Sequence, residues 1–290
     1  MTPAGIVPDW LFAAAAAATL FVVMFDLGLA VVPGEFRWVF TRPALVLRAL
    51  FAALIAVPAL AWLVARAFDL PRAAEVGIVL MAISPGAPVA LRRSLRAGGH
   101  RSFAPALQIL LALLAVVSMP LSIAAFDEYY GGTATIDPRH LARQVFFAQL
   151  LPLGLGMLAR RLWPQAAARS EPRLRRAGAV LLVALIALVL VDNWRTVVDA
   201  GPRVALAIVV VTLLATAVGH ALGGPDPATR TATAISSAAR NPGLALLVAT
   251  LNDAAPAVGA TVLAYLLIAA LTLTPYISWR RRSAAIAAGG

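Results

Sequence analysis

Long apolar segments, separated by short polar ones, follow one another along the whole chain. Nine of them are close to the ~20 residues that an α-helix needs to cross the hydrocarbon core of a bilayer. We therefore expect an all-α polytopic membrane protein with nine transmembrane helices. The sixth segment is short, and an earlier start near Leu174 is the alternative for it. The predicted helices lie at residues 10–32, 43–64, 73–95, 103–126, 141–162, 178–191, 204–222, 231–251 and 256–279.

Two of these segments are interrupted by residues that break helices. Irregular backbone at membrane depth survives only where it is buried in protein or lines a cavity. An arginine near the bilayer centre costs roughly 2.5–3.5 kcal/mol. Two interrupted spans in corresponding positions of two halves point to the binding site of a secondary transporter built from inverted repeats. The breaking residues are Ser84, Pro85, Gly86 and Pro88 in the third segment, and Asn241, Pro242 and Gly243, after Arg240, in the eighth.

Composition supports the membrane interpretation. The chain has 290 residues, of which 61% are hydrophobic, and its mean hydropathy is +0.88. A soluble domain of this size could not bury so much apolar surface. The net charge of +11 comes from arginines between the apolar segments, so it indicates membrane topology and no nucleic-acid partner. The chain has no cysteine, which excludes disulfides and thiolate metal sites.

The arginines also predict the orientation. If the N-terminus lies outside, most arginines fall on inner loops, as the positive-inside rule requires. We therefore expect the C-terminus in the cytoplasm and the basic stretch 160–176 to be a cytoplasmic loop. The arginines that remain on outer loops are Arg66, Arg72, Arg139, Arg143, Arg195 and Arg203.

No enzyme signature is present in the sequence. There is no nucleotide-binding loop and no nucleophile–base pair, and His100, His140 and His220 are scattered. We expect neither an enzyme nor a cofactor.

Several motifs, in a fixed order, resemble the bile acid:sodium symporter family, including bacterial members that carry small organic anions. The resemblance covers nearly the whole chain. It implies a bacterial inner-membrane carrier in which the two broken helices cross near the membrane centre. It also implies a panel domain (about 10–32 with 141–191) and a core domain (about 43–126 with 204–279). The motifs are Met24-Phe25-Asp26-Leu27-Gly28-Leu29, Glu35-Phe36-Arg37, Arg42-Pro43, Ser84-Pro85-Gly86 and Asn241-Pro242-Gly243-Leu244-Ala245.

The sodium-binding positions of that family are largely replaced in this chain. Ser236 stands where the family has an acidic residue, and Arg240 where it has a glutamine. Na⁺ prefers several hard oxygen ligands, and a guanidinium repels it. We predict that no metal binds at these positions and that Arg240 is a substitute charge; weak binding of one Na⁺ by backbone carbonyls is the alternative. The other replaced positions are Ala53, Ala90, Leu91, Ala104 and Gln108.

The resemblance and the chemistry of Arg240 together predict a small organic anion, of the carboxylate or sulfonate type, as substrate. Helix N-termini after Pro88 and Gly243 would attract an anion, and arginine suits carboxylates and sulfonates. The rival interpretation is that Arg240 pairs permanently with a carboxylate, such as Asp26, as a fixed lock. The predicted substrate-binding residues are Asp26, Pro88, Gln108, Ser236, Ser237, Arg240, Asn241 and Gly243.

Asp26 is a carboxylate in the middle of the first predicted helix, where an ionisable residue is a functional candidate. Its role is either ion pairing or proton coupling, so H⁺ is a possible coupling ion and Na⁺ a doubtful one.

Three arginines follow the break of the third segment: Arg92, Arg93 and Arg96. The simplest interpretation is that they lie on the inner side and set the orientation of the chain, although one could face an inner cavity. Two functional alternatives to a sodium-independent carrier remain: a Na⁺-coupled symporter, and a non-transporting sensor on the carrier scaffold.

Overall fold

The computed structural model describes residues 9–30, 38, 40–129, 137–199, 201–252 and 254–289. Within these ranges the chain is helical and contains no strand. The motif Glu35-Phe36-Arg37 lies outside the described residues. The helices are α1 (Asp9–Ala30), α2 (Pro43–Ala67), α3 (Arg72–Ala82), α4 (Pro88–Arg96), α5 (Phe103–Tyr129), α6 (Pro138–Leu162), α7 (Pro164–Asp199), α8 (Gly201–Leu222), α9 (Pro227–Ala238), α10 (Pro242–Leu251) and α11 (Pro256–Gly289).

The expected all-helical membrane architecture is confirmed. The third and eighth predicted segments are each split in two, giving α3 with α4 and α9 with α10. Within the described ranges, six helices are long and apolar enough to cross a membrane: α1, α2, α5, α6, α8 and α11. Helix α7 and the two broken pairs are outside this group, so nine transmembrane crossings stay a prediction.

The prediction that residues 160–176 form a loop is wrong, whereas their cytoplasmic location stays a prediction. Helix α6 continues to Leu162 and α7 begins at Pro164, so only Trp163 separates them. Alanine and arginine are strong helix formers, and proline is well tolerated in the first turn of a helix. An ion pair of 3.6 Å between Arg175 and Glu171, one turn apart, adds to the helix. The basic stretch is therefore an extension of α7.

Glycines bring α1 and α6 into close contact. A Cβ atom on Gly28 would overlap the backbone of α6 at Leu153 and Gly156, and one on Gly156 would overlap α1 at Phe25. Small residues allow such close approach of membrane helices. Helix α1 also packs along α7, while α8 packs against α9 and α11 against α3. These contacts place the two broken helices in the middle of the bundle.

Two helices contain a π turn, at Ala52–Ala56 in α2 and at Phe146–Leu150 in α6. In α2 the N–H of Val57 donates to the carbonyl of Ala52, which is the π register. In that register the carbonyl of Ala53 would be paired by residue 58, but Pro58 has no N–H. The Ala53 carbonyl is therefore available to another partner. Such π turns are frequent at functional sites.

Candidate functional site

The breaks in the two interrupted helices touch each other. The backbone N–H of Asn241 donates to the carbonyl of Ser84 at 2.9 Å. The Asn241 side chain also caps α10, since its Oδ1 accepts from the N–H of Leu244 at 3.1 Å. Both breaks are buried, so their irregular backbone is shielded from lipid as membrane depth requires. The two proline- and glycine-containing motifs thus form one crossing.

A cavity of about 240 Å³ lies beside this crossing. Its walls come from α1, α4, α7 and α11 and from the break before α10, and most of its lining side chains are apolar. Of the predicted substrate-binding residues, the structure brings four together at the cavity: Pro88, Arg240, Asn241 and Gly243. The other four, Asp26, Gln108, Ser236 and Ser237, are not among its lining residues.

Arg240 is buried, with 4% of its surface exposed. Its Nη1 donates to the carbonyl of Ala53 at 2.9 Å, the carbonyl that Pro58 leaves free. Its Nε and Nη2 have no hydrogen-bond partner among the described residues. A buried guanidinium with unused donors and no carboxylate partner in the described ranges is an uncompensated positive charge.

The predicted alternative in which Arg240 pairs with Asp26 is wrong. Asp26 forms its ion pair with Arg92, which lies on α4. Of the two other arginines on α4, Arg93 lines the cavity and Arg96 is exposed. Arg93 is therefore the arginine of this helix that lines the cavity, while Arg92 is paired with Asp26 on α1.

Of the positions that the resemblance assigns to Na⁺ binding, two pairs are bonded to each other here. Gln108 Nε2 donates to Ser236 Oγ at 2.8 Å, and Arg240 donates to Ala53. The remaining positions are buried apolar side chains: Ala90, Leu91 and Ala104. No group of three acidic or histidine side chains that could hold a metal occurs within the described part of the chain. Gln108 Oε1 and Ser237 Oγ are nevertheless among the buried oxygens that lack a partner in the described residues.

Gln149 is a site residue that the sequence interpretation missed. It lies in the π turn of α6 and is buried. Its Nε2 donates to the carbonyl of Ala112 at 3.2 Å, and its Oε1 lies 3.4 Å from Asn241 Nδ2. Gln149 thus connects α6 to the crossing. The signal that could have found it is an amide side chain in the middle of an apolar segment.

Comparison with known proteins gives the family. The model of the Sodium Bile acid symporter family matches residues 17–200. A Bacillus subtilis (strain 168) protein named "Uncharacterized sodium-dependent transporter YocS" is 25% identical over 202 residues, which are 70% of this chain and 61% of that protein. Sodium/bile acid cotransporter 4 of Rattus norvegicus is 26% identical over 208 residues, 71% of this chain and 47% of the relative. The human protein of the same name gives the same values.

The chain thus spans about half to three-fifths of the length of these relatives. The family match covers more than half of the chain, and it includes the third segment with its break. The chain belongs to the sodium bile acid symporter family, whose members are membrane transporters and not enzymes.

Proposed function

We propose that this chain is a secondary transporter that moves a small organic anion, of the carboxylate or sulfonate type, without the family's Na⁺ sites. One observation carries the proposal: residues at the sodium positions bond to each other. Gln108 is bonded to Ser236, and the Arg240 guanidinium is bonded to the Ala53 carbonyl. The groups that would surround Na⁺ are therefore partners of one another.

The electrostatics of Arg240 support an anionic substrate. Na⁺ binding needs several oxygen ligands, with carboxylates supplying most of the compensating charge, and a guanidinium supplies the opposite. Charges interact strongly away from water, so an uncompensated buried cation attracts an anion. The N-termini of α4 and α10 border the same cavity and add partial positive charge. An anion in the cavity would be balanced by the charge of Arg240. Arg240 would then have the role that Na⁺ has in a symporter.

Alternating access is the transport mechanism that we propose. The panel would consist of α1, α6 and α7, and the core of α2 to α5 with α8 to α11. The close packing of α1 along α6 and α7 supports this division, and the cavity between α1, α7 and the crossing supports a site between the two parts. In this arrangement α3 with α4 and α9 with α10 are the corresponding halves of inverted repeats.

The proposed topology has nine crossings, with the N-terminus outside and the C-terminus in the cytoplasm of a bacterial inner membrane. The arginine distribution supports the orientation. The cysteine-free, apolar sequence fits a protein whose immediate partner is the lipid bilayer.

Na⁺-coupled transport of an organic anion is the second candidate function. The printed names of the family and of its Bacillus subtilis and rat members refer to sodium. Two buried oxygens without a partner in the described part, Gln108 Oε1 and Ser237 Oγ, could each supply one ligand. A third candidate, a sensor that binds without transport, is favoured by the loss of the sodium residues.

Uptake by the purified protein in proteoliposomes separates the three functions. The probes are radiolabelled small carboxylates and sulfonates, each measured with and without an inward Na⁺ gradient. We expect uptake that the Na⁺ gradient does not increase. Uptake that requires the gradient would support the symporter. Thermal stabilisation by a probe that is never taken up would support the sensor.

A further inference from the structure

The proposed anion site leaves the buried carboxylate of Asp26 unused. Asp26 lies on α1, has 2% of its surface exposed, and is not among the residues that line the cavity. Its Oδ2 forms an ion pair with Nη2 of Arg92 on α4, and its Oδ1 has no hydrogen-bond partner in the described part of the chain. The pair therefore joins a helix of the proposed panel to a broken helix of the proposed core.

We propose that Asp26 is a proton-binding site that exchanges Arg92 for a proton during transport, which makes H⁺ the coupling ion. The inference rests on the proposed function, because it requires α4 to move away from α1. A carboxylate without a counter-charge in an apolar interior is far less stable than the neutral acid. When Arg92 leaves, Asp26 takes a proton from water that reaches the opened interface. When the pair forms again, that proton returns to water.

Charged side chains beside this pair both repel and attract Arg92. Arg96 on the same helix and Arg175 on α7 repel Arg92, whereas Glu171 on α7 attracts it. Glu171 is itself paired with Arg175 at 3.6 Å. The helices in contact with α1 also carry Arg93 on α4, Arg160 and Arg161 on α6, and Arg169, Arg173 and Arg176 on α7; Glu35 and Arg37 lie outside the described residues.

The charge balance of the cycle follows directly. One proton bound to Asp26 accompanies one anion bound near Arg240, so transport of a monovalent anion would be electroneutral. Arg240 stays charged in both states and needs no co-transported cation. The protein then uses one fixed positive charge for the substrate and one exchangeable charge for coupling.

Infrared spectroscopy of the carboxyl group tests the exchange without any substrate. We compare Arg92→Gln with the double variant Asp26→Asn/Arg92→Gln in lipid at neutral pH. We expect the carbonyl band of one protonated carboxyl in Arg92→Gln, and its loss in the double variant. Wild type and the control Arg96→Gln, changed on the same helix, should lack this band. An ionised Asp26 in folded Arg92→Gln between about pH 5 and pH 8 would overturn the proposal.

A second variant covers a failure of Arg92→Gln to fold. Arg92→Lys keeps a cation but loses the planar fork, so the band should appear as the pH is lowered, before it appears in wild type. No such difference from wild type would equally contradict the proposal.

In proteoliposomes, with an anion that wild type carries, Asp26→Asn should keep anion exchange and lose accumulation driven by a pH gradient. Accumulation by Asp26→Asn equal to wild type would overturn H⁺ coupling, whereas absence of all uptake by wild type would reject the transport function alone.

Discussion

Nη1 of Arg240 lies 2.9 Å from the carbonyl oxygen of Ala53, and the family resemblance assigns both residues to Na⁺-binding positions. The carbonyl is free because the π turn of α2 and Pro58 remove its helical partners. The remaining guanidinium donors have no partner in the described ranges. A fixed side-chain cation thus lies next to the crossing, at a position that the family resemblance assigns to Na⁺ binding.

Replacing Arg240 should weaken anion binding. In Arg240→Gln the buried charge is lost, and a hydrogen bond to a charged group contributes about 1.5–3 kcal/mol. That corresponds to roughly a 10- to 100-fold loss of affinity. The measurement is the anion concentration that gives half of the maximal thermal stabilisation. The control is Arg282→Gln, which removes an exposed arginine at the end of α11. Equal affinities in Arg240→Gln and wild type would show that Arg240 does not bind the substrate's charge.

The π turn of α2 should position Arg240 for anion binding, because it leaves the Ala53 carbonyl free to accept a hydrogen bond from Arg240. Pro58→Ala supplies an N–H that can pair with the Ala53 carbonyl. This N–H would compete with Arg240 for the carbonyl and weaken the Arg240 hydrogen bond. We expect a several-fold loss of anion affinity, measured in the same thermal titration. The control is Pro275→Ala, because Pro275 also lies inside a helix, is exposed, and does not line the cavity. Similar losses in both variants would mean that Pro58 acts only on general helix packing.

The contact between α1 and α6 should tolerate a methyl group at one glycine and not at another. Gly156→Ala places a Cβ against the backbone of α1, while a Cβ on Gly154 has no heavy atom within 4 Å. Overpacking of this kind costs about 1–3 kcal/mol. Thermal unfolding in one detergent should show a clearly lower Tm for Gly156→Ala and a near-native Tm for Gly154→Ala. Two equal Tm values would contradict the close packing.

His100 should make stability depend on pH. It lies between α4 and α5, where its Nδ1 accepts from the N–H of Phe103 at 3.2 Å and its ring packs 4.4 Å from that of Trp38. Burial lowers the pKa of His100, against an opposing effect of Asp226 and with a small contribution from Arg42. The unfolded chain therefore binds a proton at a higher pH than the folded protein. Stability is full above the unfolded value and decreases as the pH falls through it.

The check is the Tm of wild type and of His100→Asn as the pH falls from about 7 to about 5. Asparagine can accept the same backbone hydrogen bond but does not titrate. We expect the Tm of wild type to fall more than that of the variant. Parallel curves would mean that His100 is equally protonated in the folded and unfolded states.

Much of the fold was predictable because its causes are local. Apolar length predicted the helices, and proline with glycine predicted where α3 and α9 end. The contact between the breaks was expected only from the family resemblance, and it places Asn241 at the crossing. The basic stretch after Trp163 was mispredicted because its charge was given more weight than its helix-forming residues.

Partner choices within the site were not predictable, because they depend on packing between distant segments. Asp26 was recognised as a functional candidate, yet its partner Arg92 lies 66 residues away, on a helix whose facing no local pattern gives. The acceptor of Arg240 required knowledge of a π turn 187 residues away. Gln149 reaches Asn241 only because α6 packs beside the crossing.

The most direct test of the central claim, a fixed arginine charge in place of bound Na⁺, is the Tm of the purified protein in NaCl and in choline chloride at matched ionic strength. Selective binding of an ion to the folded state raises the Tm with a saturable dependence on ion concentration. With Arg240 bonded to Ala53 and Gln108 to Ser236, we predict equal Tm values in the two salts. A saturable Tm increase that is specific to Na⁺ would contradict the claim and would identify the protein as a sodium-coupled member of its family.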